Sequence, residues 1–78
     1  MGAMALDQAV LERWMGGGQV PGVGFALYEP VVITAGGQAG SLGAVVALVS
    51  LDPEPVYTVE IGGGRGDIHV PESGLAEA

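Results

Sequence analysis

The sequence predicts a mainly β protein: a single small five-stranded barrel preceded by one short N-terminal α-helix. Three observations carry the prediction. Between residues 31 and 75, short apolar runs (VVIT, AVVALVSL, VYTVEI, DIHV) alternate with glycine- or proline-bearing turns (AGGQAGSLG, DPEP, GGGRG, PESGL), which is the punctuation of antiparallel strands. Within 56–61, Tyr57, Val59 and Ile61 alternate with Val56, Thr58 and Glu60, the period of a strand with one buried face. Apolar residues at helical spacing occur ahead of this stretch, at 8–15.

The elements follow in order. Asp7 is suited to cap a helix over 8–15, with Leu6 before the cap and Leu11 four residues into the helix placed for a hydrophobic staple. Val10, Leu11, Trp14 and Met15 form one stripe, with Gln8, Glu12 and Arg13 towards the other side. Gly16-Gly17-Gly18 ends the helix through the left-handed conformation that glycine adopts without steric cost. So short a helix is marginal alone in water and must dock, either on its own barrel or on another chain. Residues 1–24 thus read as a helix and glycine-rich linker, and 25–78 as the barrel. Met1-Gly2-Ala3 ahead of Met4 carries no weight in this reading.

Phe25, Leu27 and Tyr28 begin an extended segment, which Pro30 confines to an edge or a strand start because it donates no ladder bond. The first strand is expected over 31–34, with Val31 and Ile33 inward. After a compact glycine-rich loop comes the longest strand, over 44–51, apolar on both faces: Val45, Ala47, Val49 and Leu51 inward, Ala44, Val46, Leu48 and Ser50 outward. The third strand spans 56–61. The fourth spans 67–70, with Ile68 and Val70 inward, and is stopped by Pro71. A single 3₁₀ turn at 72–74 returns Leu75 beneath the barrel, and 76–78 is expected as a last edge strand or a frayed tail. The expected core is Val31, Ile33, Val45, Ala47, Val49, Tyr57, Val59, Ile61, Ile68, Val70 and Leu75.

Composition narrows the function. A chain of 78 residues buries only about 60% of its unfolded surface and makes one domain. Nine acidic residues face two basic ones, Arg13 and Arg65, and lysine is absent, for a formal charge of −7. Such a surface repels phosphate backbones and anionic membranes, so neither nucleic acid nor membrane is an expected partner. With no cysteine, tight packing or self-association must stabilise so small a fold. No basic n-region with an apolar h-region opens the chain, and no run approaches the ~20 apolar residues of a membrane span, so a cytoplasmic protein is expected. The richness in Gly, Ala and Val without lysine resembles proteins of GC-rich bacteria.

Candidate chemistry is sparse. His69 is the single histidine, on the outward face of its strand with Asp67, and a metal normally needs three or more converging ligands. The cluster Gly62-Gly63-Gly64-Arg65-Gly66 lacks the lysine, the Ser/Thr and the following helix of a phosphate cradle, and Arg65-Gly66-Asp67 is an integrin-type tripeptide of the kind that recurs by chance. Asp52, Glu54, Glu60 and Glu72 carry no mark of a buried acid/base pair. Ser41, Ser50 and Ser73 have no nucleophile-elbow context. No enzyme, metal site or cofactor is expected.

The run VVIT, then Gly40, Gly43, Val45 and Val46, then Val56-Tyr57-Thr58-Val59-Glu60, then Val70-Pro71-Glu72-Ser73 and Leu75 resembles the small SH3-like barrels, in particular the C-terminal lobe of nitrile hydratase beta subunits. That lobe has a similar G-x-x-G-x-V-V, Y-T-V and E-S-x-L progression. The resemblance covers roughly 45 residues and rests on glycines, core valines and one aromatic. It implies an SH3-like barrel acting as an accessory or adaptor module beside a larger metalloenzyme. The helical portions of those subunits and the cysteines of their metal-binding partner have no counterpart here, so no catalytic residue is carried over. A likeness to KOW-type barrels would imply RNA binding, against which the single loop arginine and many carboxylates argue.

A protein partner or a second copy of the chain remains the expected binding target. Val46 and Leu48, outward on the longest strand, need a cover. The helix stripe Val10, Leu11, Trp14 and Met15 is one, and Phe25, Leu27 and Tyr28 add apolar surface beside an edge. These nine residues form the predicted interface.

Overall fold

The computed structural model describes residues 6–78; the tripeptide ahead of Met4 lies outside the described residues. The order of elements is α1 (Gln8–Met15), β1 (Pro30–Ile33), β2 (Leu42–Ser50), β3 (Val56–Ile61), β4 (Asp67–Pro71), a 3₁₀ turn (Glu72–Gly74) and β5 (Leu75–Glu77). The strands form one antiparallel sheet in the order β4-β3-β2-β1-β5. Among the described residues no ladder joins β4 to β5, so the sheet is open and these two strands are its edges.

Helix α1 begins where its sequence provides a cap: the Asp7 carboxylate accepts the Val10 N–H at 2.9 Å. It ends in a Schellman arrangement, with Gly17 N–H donating to the Trp14 carbonyl at 3.1 Å and Gly18 N–H to the Arg13 carbonyl at 2.8 Å. Gly17, at φ 87°, occupies the left-handed position that this motif requires.

Strand β2 departs from simple alternation. Between Val45 and Ala47 its pairing with β3 skips a residue, and it does so again between Leu48 and Ser50. Each bulge sets two residues of β2 against one of β3, so the inward positions become Val45 and Leu48, both buried. The expectation that Ala47 and Val49 fill the core and that Leu48 faces outward is therefore corrected. Ala47 is half-buried, Val49 is 39% exposed and Leu48 belongs to the core.

The remaining core follows the sequence pattern: Val31 and Ile33 from β1, Tyr57, Val59 and Ile61 from β3, Val70 from β4 and Leu75 after the 3₁₀ turn are buried, with Ile68 half-buried against them. Trp14 and Val20 join this cluster, so the helix and linker pack on their own sheet. Gly43 lies on the inner face between Val31 and Ile61, where a Cβ would stand 2.5 Å from the Glu60 carbonyl oxygen and 2.8 Å from a Val59 methyl. Only glycine allows β2 and β3 to approach so closely there.

Candidate interaction surface

The two sides of the sheet are used differently. On the inner side, an aromatic cluster fastens the N-terminal segment. The Phe25 ring meets Tyr57 edge-on at 5.7 Å between centroids, and Trp14 lies tilted against Tyr57 at 6.4 Å. Trp14, 2% exposed, donates its indole N–H to the Phe25 carbonyl at 2.8 Å. The Glu72 carboxylate, delivered by the 3₁₀ turn, accepts the Tyr57 hydroxyl at 2.6 Å and the Gly24 N–H at 2.8 Å. Burial of the Tyr57 ring, reinforced by this bond and by the Glu72 charge, pushes the phenol above its ordinary pKa of 10.0. Glu54 braces the same turn by accepting the Ser73 N–H at 2.8 Å and the Ser73 hydroxyl at 3.1 Å. These two carboxylates thus hold the fold together through satisfied hydrogen bonds.

The outer face is built by cross-strand register. Val32 stands opposite Leu42 on one side and Ala76 on the other, and Pro30 opposite Ala44. Directly paired residues share a face, and this one lies opposite to buried Val31. The strip continues along β2 through the two bulges, past Val46 and Ala47 to Val49. Leu42 is 60% exposed. Beyond β2 the same face turns polar: Ala44 neighbours Glu60, which stands directly opposite Asp67, and Thr58 stands opposite His69. A shallow groove of about 440 Å³ lies at the junction, with Leu42, Ala44, Glu60 and Gly62 to Gly64 in its walls.

At the start of β1, Tyr28 N–H donates to the Val45 carbonyl at 2.6 Å and Val45 N–H to the Glu29 carbonyl at 3.0 Å. Tyr28 and Glu29 thereby oppose one residue as a bulge whose first position is usually glycine. Tyr28 has φ 67° and is 72% exposed. The Glu29 carboxylate closes the preceding turn by accepting the Ala26 N–H at 2.9 Å.

The predicted interface residues are thus divided. Trp14 is buried, and Val10, Leu11, Phe25 and Leu27 are half-buried against the core. Val46, on the outer face, is half-buried. Tyr28 and Met15, the latter 56% exposed, project into solvent. Leu48 points inward and leaves the set because of the bulge. Helix α1 covers the inner cluster through Trp14 and does not stand over the outer strip as expected. Val32, Leu42 and Ala44 were missed as one surface because the longest strand was expected to begin at 44. Extending its alternation two residues back would have found Leu42.

Among the described residues, no group of three or more His, Asp or Glu is placed to hold a metal ion, and no helix is long and apolar enough to cross a membrane. His69 and Asp67 are exposed. No protein-family model, curated protein or solved structure matches the chain.

Proposed function

We propose that the protein is a cytoplasmic, non-enzymatic interaction or accessory module built on an SH3-like barrel, which docks on a larger protein through the outer face of β1 and β2. The observation that carries the reading is the apolar strip on the outer face, with Leu42 60% exposed between half-buried Val32 and Ala44, over which helix α1 does not stand because it is engaged on the inner side. Contiguous apolar surface of this kind marks interfaces. The barrel part of the proposal is supported by the pairing of β1 with both β2 and β5, which brings the ends of the meander towards each other, and by the bends that two bulges introduce into β2. The motif likeness to nitrile hydratase beta lobes makes a metalloenzyme subunit the first class of partner to test.

The test is site-specific photo-crosslinking in the native host, with the photoreactive residue at Leu42 and, as a control, at the exposed loop residue Gln38. A discrete adduct to one protein from position 42 and not from 38 is the expected result. Equal, diffuse labelling from both positions sinks the reading.

A further inference from the structure

We infer that the partner seated on this face is a basic protein segment, an apolar side chain flanked by arginine or lysine, and not a second copy of the chain. The inference rests on the proposed interaction role and adds the chemistry of the partner. Its first support is the row Ala44–Glu60–Asp67, in which two carboxylates stand directly opposite each other across β3 and β4. Like charges in such a pair repel, and a cation brought by a ligand relieves them both.

The groove beside this row is the second support. Its walls are aliphatic and glycine backbone with Glu60 as the carboxylate, which suits a long cationic side chain. The stem of an arginine or lysine lies along Leu42 and its head reaches the carboxylate. Arg65, at the nearby hairpin tip, directs its Nε–H to the Gly62 carbonyl at 3.3 Å.

The third support is complementarity over the whole chain. At a formal charge of −7, a second copy laid face to face would oppose acidic surface with acidic surface, whereas a basic partner is attracted and steered to it.

The probes are three short synthetic peptides with identical polar flanks, centred on Arg-Leu-Arg, Glu-Leu-Glu and Arg-Ser-Arg. Each is titrated into the ¹⁵N-labelled protein and followed by amide shifts. The Arg-Leu-Arg peptide is expected to move the amides of Leu42, Ala44, Glu60 and Gly62, with an affinity that falls as salt is added. Arg-Ser-Arg should bind roughly tenfold more weakly, for want of an apolar anchor. Leu42→Ser and the double change Glu60→Gln/Asp67→Asn should each cost about tenfold; all three positions are exposed, and the unchanged spectra of the unliganded variants verify the fold.

Equal binding of Arg-Leu-Arg and Glu-Leu-Glu at the face overturns the charge preference while leaving an interaction surface in place. Shifts confined to other surfaces, or no shifts, overturn the basic-partner inference, and the crosslink at position 42 then judges the interaction role by itself. A dimer in sedimentation that Leu42→Ser dissolves would make a second copy the occupant and overturn the inference as well.

Discussion

Tyr28 holds a backbone conformation that an L side chain enters only at a cost of roughly 1–2 kcal/mol, fixed by the bonds of its amide and of Glu29 to Val45. Its ring is mostly in solvent and gives little packing in return. Tyr28→Gly is therefore expected to raise stability by about 0.5–1 kcal/mol in urea unfolding, even after glycine's greater freedom in the unfolded chain is counted. A lower midpoint for the variant would show that the ring contributes packing that its exposure does not suggest. No local signal marks this site: a tyrosine between Leu27 and Glu29 reads as an extended strand residue, and only the pairing of two residues with Val45 reveals the turn.

At the scale of elements, the helix, its caps and β3 were legible because each is specified locally. Asp7 and the three glycines bound an eight-residue stripe, and strict alternation marks 56–61. Strand β2 was not, since a run apolar on both faces has no alternation to show where a bulge inserts a residue. Two substitutions separate the readings: Leu48→Asp should unfold the protein by placing a charge in the core, whereas Val49→Ser, at a position 39% exposed, should cost only about 1 kcal/mol. Similar losses from the two would refute the bulged register. The clasp between linker and 3₁₀ turn was equally hidden, because Gly24 and Glu72 lie 48 residues apart. Glu72→Ala leaves the Tyr57 hydroxyl and the Gly24 N–H without their acceptor, a loss of about 2 kcal/mol. The same variant should shift Trp14 emission to the red as the helix loosens; an unchanged spectrum and midpoint would show that the clasp contributes little.

For the molecule as a whole, the absence of lysine and cysteine makes the alkaline range unusually simple to interpret. Tyr57 has its pKa raised in the folded state, so the folded protein holds a proton that the unfolded chain begins to release near pH 10. The stability contributed by this difference is fully present below that pH and declines as pH rises above it. Unfolding free energies measured from pH 8 to 11 should fall at the upper end for the native sequence and fall less steeply for Tyr57→Phe. Parallel profiles for the two proteins would locate the alkaline sensitivity elsewhere.

The packing of Trp14 against Tyr57 at 6.4 Å also makes the chain its own optical gauge. In a Tyr28→Phe background, where Tyr57 is the one tyrosine left, light absorbed by the buried phenol reaches the single indole most efficiently while the helix is seated, so the ratio of indole emission excited through tyrosine to that excited directly reports docking without any attached label. Followed during stopped-flow dilution from urea, that ratio times the arrival of the helix on the sheet separately from the formation of the sheet itself.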